Sequence, residues 1–166
     1  MKSLYKYLLP ILLIACSTLF LGGCGSKGDP ELTAFKETMN TFFEDAASID
    51  SQLNALDPNE EGAIDQMLAL LDELNEKCQA LSEIEVPEEF SNVSAYTESI
   101  NFNMSHAVEK YHEAFSNDAY NENIKDVADE YYARANGRIH DMILLLHGEI
   151  PTGEDVIYTT EADETN

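Results

Sequence analysis

The sequence predicts an all-α fold, an antiparallel up-and-down four-helix bundle, and three observations carry that prediction. Apolar residues recur at alternating spacings of three and four along four successive stretches, as they do in helices that each bury one face. Proline sits beside acidic residues at Asp29-Pro30, Asp57-Pro58 and Pro87-Glu88-Glu89, and marks the starts of the first three stretches. About 120 residues lie between Asp29 and Gly148, enough for one domain with one core.

The first helix opens with Asp29 as N-cap and Pro30 in the first helical position, where the missing proline N–H leaves no bond unmade. Its stripe is Leu32, Phe35, Met39, Phe42, Ala46, Ile49, Leu53 and Leu56. Asp57-Pro58 repeats the start signal, so it ends the first helix and opens the second. Ile64, Met67, Leu71, Leu74, Cys78 and Leu81 form the second stripe, widened by Leu68 and Leu70. Val86-Pro87 ends that helix, and Glu88 and Glu89 suit the start of a third. The third stripe is Phe90, Val93, Thr97, Ile100, Met104, Ala107, Tyr111 and Ala114, with Thr97 its weakest member.

Ser116-Asn117-Asp118 is the next break, with Asn to end one helix and Asp to cap another. The fourth stripe is then Ile124, Val127, Tyr131, Ala135, Ile139, Met142 and Leu146. One long helix over 87–147 is the alternative, but four helices of similar length with one apolar face each close a bundle. Gly148 supplies the C-terminal stop, with Pro151 behind it. Residues 149–166 carry six acidic residues and no basic one, and are read as a disordered acidic tail. Short connections put the Asp57-Pro58 and Asn117-Asp118 turns at one end. The chain's entry, the Glu85-Val86-Pro87 turn and the exit of the fourth helix lie at the other.

Before the bundle, Lys2 and Lys6 precede a charge-free apolar run at residues 8–21, which Pro10 interrupts. A basic start, a short apolar run and then small residues make a secretory signal. The run falls short of the roughly 20 residues a spanning helix needs. It ends Leu21-Gly22-Gly23-Cys24: an aliphatic residue, two small residues, then cysteine. These residues resemble the lipobox of bacterial lipoproteins. The resemblance covers the first 24 residues only. It implies cleavage after residue 23 and a diacylglyceryl group on the Cys24 sulfur, with two acyl chains to hold the protein on a membrane. The expected organisation is a signal peptide at 1–23, a lipidated tether at 24–28, the bundle at 29–148 and the tail at 149–166. The resemblance also implies an extracytoplasmic location, on the outer face of the cell membrane in a Gram-positive cell.

Charge narrows the partners. The chain has 9 basic and 32 acidic residues. Loss of Lys2 and Lys6 with the signal leaves 7 basic residues and a formal charge of −25. Such a body does not bind nucleic acid, which selects a basic surface, and does not dock on anionic lipid by charge. The lipid on Cys24 is the expected membrane contact. With Cys16 in the signal and Cys24 acylated, Cys78 is the single free thiol, so no internal disulfide forms, and it reads as a small core residue.

Candidate chemistry is thin. Glu109 and His112 make one Glu-x-x-His, but Asn103, Gly137 and Leu144 stand where an acid would have to precede His106, His140 or His147. The paired motif of di-metal bundles is therefore incomplete. Met39 and His140 could face one another as an axial pair for a haem, but His140 falls off the apolar stripe and no Cys-x-x-Cys-His occurs, so the histidines read as surface residues. Residues 57–65, DPNEEGAID, place Gly62 as an EF-hand loop requires, but Pro58 and Leu68 occupy positions that such a loop does not give to them. No Gly-x-Ser-x-Gly, phosphate loop or Cys–His pair occurs. The lipobox resemblance implies a bacterium, in which the glycosylation acceptor patterns at Asn92 and Asn103 have no use. Arg134 and Arg138 stand four apart, with Glu130 placed to pair with Arg134; an anion-binding spot is the functional alternative. Tyr96, Phe102, Tyr120 and Tyr132 lie beside the stripes, where clustering would mark a partner surface. The expectation is a lipid-anchored interaction or envelope-associated module, not an enzyme and without a cofactor. A bundle binding a small ligand, haem or metal is the alternative. A filled core favours the first and a cavity with converging polar groups the second.

Overall fold

The computed structural model describes residues 30–115 and 120–152. It holds four helices: α1, Pro30–Ala55; α2, Ala63–Ser82; α3, Ser94–Phe115; and α4, Glu122–Leu146. A 3₁₀ segment, Glu88–Val93, leads into α3. The four-helix bundle is as the apolar spacing predicts. Residues 1–29, 116–119 and 153–166 lie outside the described residues, and with them Cys24, the tether, the Asp29 cap and nearly all of the tail.

Successive helices are antiparallel. Asp72 of α2 meets His112 of α3 while Asn75 meets Ser105, so position rises along one helix as it falls along the other. His106 meets Tyr131 and Tyr111 meets Asp129, in the same opposed order along α3 and α4. All four helices feed one core, with Phe35, Met39, Phe42, Ile49 and Leu53 from α1, Leu71, Leu74 and Cys78 from α2, Ile100 and Met104 from α3, and Ile139 and Met142 from α4. The stripes of α1 and α3, and that of α2 from Leu71 onward, sit where the spacing puts them. Even Thr97 is buried, its hydroxyl donating to the Ser94 carbonyl at 2.8 Å.

Three local expectations are corrected. Asp57-Pro58 does not open α2. Its Oδ1 accepts from the backbone N and the Nδ2 of Asn59, each at 2.9 Å. An Asx turn thus takes up the side chain that a cap would have used. Gly62, with φ 86°, redirects the chain into α2 at Ala63. Ile64 consequently stands on the first turn and is 46% exposed. The cap of α4 is likewise not Asp118 but Asn121, whose side chain accepts from the Ile124 N–H at 3.2 Å.

The third correction is a face. α4 buries Ala128 and Tyr132 rather than Val127 and Tyr131. Both pairs lie at helical spacing from Ala135, so periodicity admits either. Ala128 lets the α4 backbone approach α3, and the rotation leaves Tyr131 half-buried at the edge of the core. The C-terminus of α4 closes as Gly148 predicts. At φ 76° it allows the Gly148 N–H to reach the Leu145 carbonyl and the Glu149 N–H the Leu144 carbonyl, each at 2.9 Å, a Schellman motif.

Candidate functional site

The proposed haem ligands do not converge. Met39 is buried in the core, whereas the His140 side chain is 66% exposed on the far side of α4. Glu109 lies beside Lys110, and His112 hydrogen-bonds Asp72 at 2.7 Å, so each is engaged separately. Among the described residues no three His, Cys, Asp or Glu side chains gather as metal ligands. Asp57 is occupied by Asn59, and those hydrogen bonds hold its carboxyl below the usual aspartate value. Asn103 is buried and donates to the Ser99 carbonyl at 2.7 Å.

Asp129 accepts from the Tyr111 hydroxyl at 2.7 Å and from Lys125 Nζ at 2.6 Å, pinning α4 to α3. Burial, then the Asp129 bond, pushes the Tyr111 hydroxyl well above the ordinary tyrosine value. Tyr132 packs edge-on to Tyr111, and burial raises its hydroxyl to about 12. Burial likewise pushes the Cys78 thiol up to about 12, which leaves it an inert core residue.

Two surface features remain. The first runs across the outer face of α3 and α4. Phe102, 56% exposed, lies 4.2 Å from the His106 ring; His106 lies 5.2 Å from the Tyr131 ring; and the Arg134 guanidinium sits 5.3 Å over Tyr131. The spacing of Phe102 and His106, four apart on one helix, makes the first contact, and the rotation of α4 makes the second. Of the four aromatics expected beside the stripes, only Phe102 joins this strip. Tyr96 and Tyr132 are core residues, and Tyr120 is exposed beside Phe115. Arg134 and Arg138 do not form an anion spot. Arg134 pairs with Glu130 at 3.2 Å and Arg138 with Asp141 at 3.4 Å.

The second feature is an open groove of about 470 Å³ between the N-terminal half of α1 and the C-terminal half of α2. Phe42 and Leu81 form its floor, and Thr38, Thr41, Asp45 and Lys77 stand along it. Lys77 Nζ lies 2.7 Å from Asp45 Oδ2, and that bond raises the lysine above its ordinary value. The polar flank of α1 at 37, 38, 41 and 45 was readable as one helical edge beside Phe42. That it faces a gap rather than open solvent depends on how far α2 stands away. No described helix is long and apolar enough to cross a membrane. No protein-family model matches the chain, and no curated protein or solved structure matches it either.

Proposed function

We propose that this chain is a lipid-anchored, extracytoplasmic helical bundle that binds a partner protein and carries out no chemistry of its own. Leu21-Gly22-Gly23-Cys24 at the end of an apolar run supports the anchor, and Pro30 opens α1 only a few residues beyond the acylated cysteine. The formal charge of −25 on the mature chain keeps the body off anionic lipid, so that lipid and body have separate tasks. The observation that carries the binding reading is the Phe102–His106–Tyr131–Arg134 strip. Exposed Phe102 meets half-buried His106 and Tyr131 in one continuous strip across two helices. Aromatic and arginine side chains that surround one another on a surface are the usual anchors of an interface.

The test is site-specific photo-crosslinking in intact bacteria making the full chain. A benzophenone amino acid at Phe102 should give a discrete adduct in the membrane fraction. One at exposed Gln52 of α1 should not. Tyr131→Ala with Arg134→Ala should remove the adduct while the membrane retention persists. Cys24→Ser should abolish both fatty-acid labelling and retention. Equal labelling of the Cys24→Ser chain would remove the anchor. An adduct that is the same from both positions, or insensitive to the strip variants, would remove the binding surface.

A further inference from the structure

We propose that the groove between α1 and α2 is a binding site for an amphiphilic organic monocation, a single ammonium group on an alkyl chain. The groove arises from side-chain size. Phe42, and Phe35 and Phe43 nearby in α1, hold the α1 backbone away from its neighbours, while Ala34 and Ala80 are too small to fill the space left between the two helices. Its length follows α1 from residue 34 to 45, roughly 16 Å at 1.5 Å per residue. A volume of about 470 Å³ is within the range of pockets that hold small molecules.

The ligand class follows from the walls. The floor of Phe42 and Leu81, with Ile84 at one end, takes an apolar body. The Thr38 and Thr41 hydroxyls donate to the Ala34 and Glu37 carbonyls at 3.0 and 2.9 Å, so toward the groove their oxygens can only accept. Glu37 and Asp45 stand on the same wall. The single cation, Lys77, is bridged to Asp45, and Glu73 and Glu76 lie close enough to act on it as well. Of the groove's own charges, Lys77 offsets Asp45 and Glu37 is left over, with Glu73 and Glu76 outside the groove but near Lys77. An anion meets repulsion and acceptor oxygens; a neutral amphiphile gains only the floor; a cation gains the floor, the hydroxyl oxygens and the carboxylates together. The site is independent of the α3–α4 strip and does not rest on the partner-protein reading.

The probe is decyltrimethylammonium, kept below micelle formation. The protein is the mature chain, residues 24–166 with Cys24→Ser, which retains every described core residue. Decyl sulfate shares the chain but carries the opposite charge, and tetramethylammonium shares the charge without the chain. Amide resonances should report one saturable site, with the largest shifts at residues 38–42 and 80–84. Both control ligands should bind at least about tenfold more weakly. Glu37→Gln should weaken decyltrimethylammonium severalfold, and Thr41→Arg by about tenfold or more. Both positions are exposed, so unchanged melting shows that the fold is kept. Glu98→Gln, the same charge change at an exposed position on α3, should leave binding unaltered. Decyl sulfate binding as tightly as the cation would overturn the charge argument. Equal weakening by Glu98→Gln and Glu37→Gln would reduce the effect to general attraction by an acidic body and overturn the site. Shifts centred away from the groove would do the same.

Discussion

Between α3 and α4 the backbones come close, and Ala107, Ala114, Ala128 and Ala135, all fully buried, are what make room for that approach. α1 instead presents three buried phenylalanines, Phe35, Phe42 and Phe43, with Met39, Ile49 and Leu53. It approaches α2 less extensively, and among the described residues no Cα pair within 8 Å links it to α3 or α4. One core thus holds a tight pair and a looser one. Small residues gain close contact and a rigid register. Large ones bury more apolar area each but keep the backbones apart, and leave a gap wherever an alanine stands on the flank. The two surface features follow that division. The aromatic strip needs the fixed rotation of α4 on α3, and the groove needs the wider spacing of α1 and α2.

The largest expected effect tests whether the looser pair is fully packed inside. Leu71 on α2 has no exposed surface, and Leu71→Ala should destabilise by about 2–5 kcal/mol in urea melts. A change below about 0.5 kcal/mol would mean that α2 lines a void rather than a core, and the contrast would be one of disorder, not of spacing.

Alkaline melts come next, because buried groups in both pairs resist ionisation. Cys78 on α2 and Tyr132 on α4 are each raised to about 12 by burial. The folded chain therefore keeps protons that the unfolded chain gives up, and stability falls as pH rises from about 9 through about 12. By pH 11 the Cys78 contribution alone should be roughly 2–3 kcal/mol. Cys78→Ala should flatten that part of the profile. An unchanged slope would show that the α2 face admits water.

Overpacking separates the pairs directly. Ala135→Leu should cost about 1–3 kcal/mol, since α4 has nowhere to move. Ala46→Leu on α1 should cost less than half as much, because α1 can shift outward. Equal penalties would break the comparison. The smallest effect is that of the Lys77–Asp45 bridge, which crosses the looser pair near its surface. Lys77→Met should leave the urea midpoint almost unchanged, and high salt should shrink the difference further. A larger loss would mean that this one contact, and not the phenylalanines, positions α1.

Much of this was legible along the chain. Alternation of three and four placed the core residues of α1 and α3 almost one for one, identified Leu71, Leu74, Cys78 and Leu81 on α2, and assigned Gly148 as a stop. It was less informative where two readings shared a spacing. Tyr131 and Tyr132 both lie on helical intervals from Ala135, and Asp118 and Asn121 are both good caps for α4. Arg134 was noticed for its scarcity, and its pairing with Glu130 was expected. Its place over Tyr131 was not, because that contact requires knowing which side of α4 faces outward.

The sequence by itself determined the all-α class, the buried faces of the helices over most of their length and the charge of the surface, because these are sums of local terms: periodicity, proline, glycine and the count of carboxylates. The tertiary structure decided the rotation of α4, the distance of α1 from its neighbours, the strip and the groove. Each of these depends on the volume of side chains meeting from two helices far apart in sequence, and no single helix carries the information about what it will meet.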